Sequence, residues 1–244
     1  MFEVLKDRAF LRKMLTIAIP ISLQSMISFG VQLTDTVMLG YFGEVALSAS
    51  SLAGSFYMIF GCICMGLGCG AAVITAQYWG KREIDPIREM CAICFKVTII
   101  ISLVFTFLGI AFPRQIMQIY TTDEAVIESG IRYLRILSIG FLFNGLATAA
   151  TQILRSVNIV KIALFATIGS FFVNVFFNYV FIFGKLGAPR LEVAGAAIGT
   201  VIARVFEFAV ICGFVFLRDK TIGMRLRHMR GFSRDMMRKY IKAG

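Results

Sequence analysis

The sequence contains one histidine, His228, and one tryptophan, Trp79, among 244 residues. With so little imidazole, zinc chemistry and histidine-based acid–base catalysis have almost nothing to work with. Six cysteines are present, yet only one Cys-x-x-Cys pair occurs, Cys91-Ala-Ile-Cys94, and no second pair completes a metal or redox centre. The others, Cys62, Cys64, Cys69 and Cys212, sit in apolar runs and read as small helix-packing residues. Charge is also scarce: 16% of residues are charged and 58% hydrophobic, with a mean hydropathy of +0.81. That balance excludes an ordinary soluble domain. The apolar runs lack the two-residue alternation of membrane β-strands, which excludes a barrel. They also lack paired carboxylates and any nucleophile flanked by a base, so the chain is not expected to be an enzyme.

What is present is length of apolar sequence. Six segments, 14–39, 47–78, 87–112, 135–154, 161–183 and 193–217, each offer about 20 or more mostly apolar residues. A helix of that length crosses a hydrocarbon layer of ~30 Å at ~1.5 Å per residue. The expected fold is therefore all-α: a polytopic membrane protein with six transmembrane helices. No small-residue cleavage site marks the first span as a removable signal. The net charge of +11 could suggest nucleic acid, but its distribution argues for lipid. With the N-terminus inside, 18 of the 25 Lys and Arg fall on the inner side, and five, Arg114, Arg132, Arg135, Lys185 and Arg190, on the outer. This positive-inside pattern predicts a multi-pass protein of the plasma or inner membrane, both termini cytoplasmic and no nucleic-acid partner. Residues 1–217 form the expected six-helix lobe. Residues 218–244 form a basic cytoplasmic linker, its part 218–242 expected against anionic lipid of the bilayer.

The ends of the chain resemble each other. Leu11-Arg12-Lys13-Met14-Leu15-Thr16-Ile17-Ala18 lines up with Met237-Arg238-Lys239-Tyr240-Ile241-Lys242-Ala243-Gly244. A set of spans followed by the same entry signal points to one half of a duplicated transporter, with the start of a second repeat at the end. Within the first copy, Asp85-Pro86 is expected to open the third helix. Thr121-Thr122-Asp123-Glu124 fits a capping box, with 123–134 running along the outer surface before the fourth span. Gly184, Gly187 and Pro189 mark a turn between the last two spans. Gly66 and Gly70 on the second span, and Gly195 and Gly199 on the sixth, have the four-residue spacing of close helix packing.

Ionisable groups inside spans are expensive and need a reason. Arg204 and Glu207 stand three apart and can pair, and Lys96 can extend to an interface. Asp35 has no basic neighbour in sequence and lies about 31 Å along the first helix. Asn174 and Asn178 share one face of the fifth span, about 18 to 24 Å from its start. Thr200 is roughly 10 Å below the outer end of the sixth. All four are thus expected in the outer half. Their carboxylate, amide and hydroxyl oxygens could cage a hard cation such as Na⁺. Alternatively, Asp35 could carry a proton, since removal from water favours the neutral carboxyl. The two Asn could equally serve interhelical hydrogen bonding. Pro20 leaves the carbonyl of Thr16 without its helical donor and so provides either a hinge or a static kink.

An ordered set of motifs now stands out: Ile17-Ala18-Ile19-Pro20, Asp35-Thr36-Val37-Met38-Leu39-Gly40, Gly66-Leu67-Gly68-Cys69-Gly70 and Ala76-Gln77-Tyr78-Trp79-Gly80. Leu154-Arg155-Ser156, the stretch 174–184 and Gly195-Ala196-Ala197-Ile198-Gly199-Thr200 follow. In this order they resemble the N-terminal half of the multidrug and toxic compound extrusion (MATE) family. The resemblance implies a two-lobe transporter that exports amphipathic, often cationic compounds against Na⁺ or H⁺, with no other cofactor. It implies a coupling role for Asp35, with Asn174 and Thr200 matching further polar positions of some members. Asn178 stands where those members carry an Asp. The second lobe is missing, so the lobe is expected to pair with it or with a second copy. A flippase for lipid-linked sugars is the alternative and would need several basic residues facing the cavity. A non-transporting membrane assembly subunit is the third reading.

Overall fold

The computed structural model describes residues 8–219, 221–225, 228 and 234–243. Among them there are helices and connections and no strand. The helices are α1 (Arg8–Gly40), α2 (Glu44–Lys81), α3 (Ile84–Ala111), α4 (Pro113–Tyr120), α5 (Glu124–Ile139), α6 (Phe141–Ser156), α7 (Lys161–Phe183), α8 (Val193–Gly213) and α9 (Arg234–Ala243). A short π-helical turn, Phe214–Arg218, extends α8. Helices α1, α2, α3, α7 and α8 (with its extension) are each long and apolar enough to span a bilayer, and α5 and α6 together supply a sixth span, bent by 50°. The chain is thus a polytopic all-α membrane protein, as expected.

The fourth span differs from its expected form. Helix α5 continues through Leu134 to Ile139 without a break, and the bend falls at Gly140. Its apolar face, including Val126, Ile127, Tyr133, Leu134 and Leu137, is buried against the bundle. The stretch 123–134 is therefore a packed part of the span, amphipathic because only its outward face is polar. At its start the cap is Asp123, which accepts from the backbone N–H groups of Ala125 and Val126. Thr121 accepts from Asp123 N, and Glu124 pairs with Arg114 at 2.6 Å, so the expected capping box does not form. Helix α3 likewise starts at Ile84, ahead of Asp85, whose carboxylate pairs with Arg88 at 2.9 Å.

Two apolar clusters hold the bundle. One, at the α9 end, joins α2, α3 and α6 to the described tail and includes Cys91 and Cys94, both free thiols. The other, at the opposite end, centres on Phe60 stacked on Phe141 at 4.7 Å. The antiparallel pair α7–α8 is joined through Gly184, whose φ of +65° ends α7 where the turn was expected. It closes tightly because Gly195 lies against the backbone of Phe181, where a Cβ would approach the carbonyl to 2.6 Å. Gly66 faces open space, whereas Gly70 is buried and Gly68 is set against Gln152.

The described part of the tail docks on the bundle. Ile222, Met224, Met236 and Tyr240 are buried, and Tyr240 donates to the carbonyl of Leu67 at 2.9 Å. Arg238 and Lys239 point outward. Of the expected second repeat, positions through Ala243 belong to α9. Gly244, Lys6 of the N-terminal segment, and Lys220, Arg227 and Arg230 of the basic tail lie outside the described residues.

Candidate functional site

Helix α1 is the least enclosed of the long helices. Leu15, Ile19, Leu23, Met26, Phe29, Leu33 and Val37 are all exposed along it. It runs unbroken through Pro20, so the expected hinge is an intact helix lacking one backbone hydrogen bond. Two polar clusters fasten it to the rest of the lobe.

The first gathers the four residues singled out in the sequence. Asn174 and Asn178 on α7 are 1% and 0% exposed, Thr200 on α8 is buried, and Asp35 on α1 is half-buried. The amide nitrogen of Asn178 donates to Asp35 Oδ1 and, at 3.2 Å, to Asn174 Oδ1. Asn174 in turn donates to Thr200 Oγ1 at 3.4 Å. Two amides, Asn178 and Asn174, thus link three helices around a single carboxylate. The proposed oxygen cage is not assembled in this arrangement: Asn178 presents its N–H group to Asp35, and its Oδ1 points at Gly199. That oxygen is buried without a hydrogen-bond partner, an arrangement normally avoided. Gly199 is what admits it, since a Cβ there would lie 2.1 Å from Asn178 Oδ1.

The second cluster lies nearer the α9 end of α1. Gln24 donates to Thr167 Oγ1 at 3.0 Å, and Thr167 donates to Glu207 Oε1 at 3.2 Å. Glu207 is also held by Arg204 at 2.7 Å, the pair expected from their spacing. On the other side of Gln24, its Oε1 accepts from Arg155 Nη2. Arg155 Nη1 donates to Gln152 Oε1 at 2.9 Å. The sequence places Arg155 just past a span ending at Leu154; the structure keeps it in the last turn of α6, with its guanidinium turned inward. Gln152 and Arg155, three apart, were the signal that could have revealed this. Residues of both ends of this cluster line a cleft of about 410 Å³ between α1, α2, α6 and α8.

Fold and clusters together define a polytopic helical membrane bundle with a solitary carboxylate on a loosely held helix and a polar cleft beside it. The chain belongs to the MatE family, whose profile matches residues 20–180. That family is one of multidrug efflux transporters. It is 26% identical over 232 residues to the probable multidrug resistance protein YoeA of Bacillus subtilis, covering 95% of this chain and 48% of that protein. With the probable multidrug resistance protein NorM of Thermotoga maritima it shares 22% over 210 residues, 86% of this chain and 45% of the other. Among solved structures, a MOP superfamily transporter from Pyrococcus furiosus superposes with a TM-score of 0.83 at 20% identity, over 95% of this chain and 50% of that one. A MATE transporter in its straight conformation gives 0.85 at 21%, over 95% and 51%. These structures share the fold. The chain spans about half the length of the curated relatives it matches.

Proposed function

We propose that this lobe is the N-terminal half of a cation-coupled antiporter that exports amphipathic compounds by alternating access, with Asp35, Asn174, Asn178 and Thr200 as its coupling site. In this reading both termini are cytoplasmic, in the cell membrane, and a second lobe or a second copy of this one closes the pathway. The observation that carries it is the tie from Asn178 to Asp35, which joins a sparsely packed helix to the rigid α7–α8 pair through one charge. An amide N–H bound to a carboxylate is charge-assisted and weakens when the charge is neutralised. Neutralising Asp35 therefore loosens the end of α1 opposite α9, while Gln24 still holds the other end. Pro20, where the helix has lost one backbone bond, lies on the far side of Gln24 from Asp35, so it eases bending of α1's start rather than of the end that Asp35 releases.

A proton satisfies this site without rearrangement, because Asp35 then remains hydrogen-bonded as a neutral acid. A sodium ion requires the Asn178 amide to turn, releasing its buried oxygen toward Asp35, Asn174 and Thr200 and completing an oxygen set suited to a hard cation. The test is proteoliposomes containing the complete transporter, with either a pH or a Na⁺ gradient imposed alone and export of a cationic dye, ethidium, and of an anionic one, carboxyfluorescein, each followed by fluorescence. Export driven by one gradient is expected; export driven by neither refutes coupling. A lipid-linked sugar flippase would need several free cations in the cleft, whereas Arg204, one of the two present, is held by Glu207.

A further inference from the structure

The cleft beside α1 carries a charge pattern that the coupling site does not use. Its one acid, Glu207, is engaged by Arg204 at 2.7 Å and by the Thr167 hydroxyl at 3.2 Å. Its other cation, Arg155, is met by two neutral amide oxygens, those of Gln24 and Gln152. Its Nε is buried with no hydrogen-bond partner, as is that of Arg204. The described lining therefore holds a neutralised pair plus one guanidinium without a carboxylate, for a net charge of one positive. Carbonyl dipoles solvate a guanidinium only in part, and Arg155, half-buried with its Nε out of reach of water, is left without a counter-charge. An incoming anion would supply what is missing, since a guanidinium fork matches a carboxylate, sulfonate or phosphate. Beside it, Phe29 and Met65 offer an apolar and aromatic wall for the body of an amphipathic molecule. An organic cation placed there would face Arg155 with no acid to receive it.

We infer that this cleft is an anion-accepting substrate subsite, in which Arg155, presented by Gln24 and Gln152, takes the carboxylate, sulfonate or phosphate of an amphipathic compound. The inference rests on the transporter reading above and names the substrate class of the same lobe. Because Gln24 also holds α1 through Thr167, an anion drawing Arg155 away from Gln24 would act on the same helix that Asp35 controls. The anionic group could come from a free compound or from a lipid headgroup.

The experiment measures binding rather than transport, so failure of ion coupling and failure of this inference are separable. The purified chain in phosphatidylcholine nanodiscs is titrated with fluorescein and with rhodamine 123, which share a xanthene skeleton and differ in charge, and fluorescence anisotropy is read. Fluorescein should bind about tenfold or more tightly than rhodamine 123, the difference one charge-assisted pair provides. Arg155→Gln should weaken fluorescein by a similar factor, Arg155→Lys by less, and Arg238→Gln, on the exposed face of α9, not at all. The preference of the unaltered chain stands as a test even if Arg155→Gln fails to fold. Repeating the titration with phosphatidylglycerol in the disc separates the sources: weakening in the unaltered chain that is absent in Arg155→Gln assigns the site to a headgroup, and unchanged binding assigns it to a free compound. Equal or tighter binding of rhodamine 123, binding of neither dye, or equal losses in Arg155→Gln and Arg238→Gln would overturn the proposal.

Discussion

Replacing Gly199 by alanine tests whether close helix packing positions the coupling site. The added Cβ would lie 2.1 Å from Asn178 Oδ1 and 3.1 Å from its backbone nitrogen. The backbone of α7 cannot retreat without opening the α7–α8 contact, so the amide must swing aside. It then surrenders its bonds to Asp35 and Asn174. Overpacking of this kind costs about 1–3 kcal/mol, and a hydrogen bond to a charged group is worth about 1.5–3 kcal/mol. The gain in helix propensity from glycine to alanine, about 1 kcal/mol, offsets part of this. A net loss of about 2–4 kcal/mol is expected, or roughly 5–15 °C in midpoint for a chain of this size. Thermal unfolding in detergent, followed by thiol-reactive dye, reads the change. Gly195→Ala, which meets the backbone of Phe181 and Ile182, should lower stability while leaving the ion dependence of unfolding as it is. Gly66→Ala, with nothing within 4 Å, should raise stability by up to about 1 kcal/mol, the propensity gain alone. If Gly199→Ala unfolds like the parent and retains its ion response, the packing argument is wrong.

Three further outcomes follow from the same contacts. Glu207→Gln leaves Arg204 without its carboxylate in a low-dielectric interior and should cost about 3–5 kcal/mol, whereas Arg204→Met with Glu207→Leu should cost much less, as a double-mutant cycle would show. Gln24→Ala removes the bonds to Thr167 and Arg155, and hydrogen exchange of α1 between Arg12 and Leu33 should quicken with little change in α7. Tyr240→Ala undocks α9 from Leu67 and Cys94, so maleimide labelling of Cys94, fully buried in the intact lobe, should rise to the level of the exposed Cys69.

Span existence and order were legible because a 20-residue apolar run leaves the backbone no alternative to a helix in lipid. The fourth span shows where that logic stops. Glu124, Glu128, Arg132 and Arg135 share the outward side of α5, and their charge makes the segment look interfacial although its other face is packed. The bend falls at Gly140, where α5 and α6 lie on partners they share, α2, α3 and α8, and Gly140 itself lies against Val201 of α8; one glycine in an apolar run does not by itself announce it. The four polar residues of the proposed coupling site were visible one by one, since each is out of place in an apolar run. Their juxtaposition is tertiary, as is the direction in which Asn178 turns its amide. Arg155 was assigned to a loop because a long side chain at a span end usually reaches outward; here Gln24 and Gln152 draw it in. Gly66 shows the converse, a motif glycine at the right spacing that touches nothing.

The central claim is that Asp35 carries the coupling charge. The most direct measurement compares Asp35→Asn with the parent in the complete transporter, at matched expression, following export of whichever dye, ethidium or carboxyfluorescein, the parent exports under its driving gradient. The asparagine preserves size and can still bond to Asn178, but it cannot change charge. Export should fall to the level of empty membranes while the protein remains folded and in the membrane. Gradient-driven export at the parent rate in Asp35→Asn would remove Asp35 from the mechanism and contradict the account.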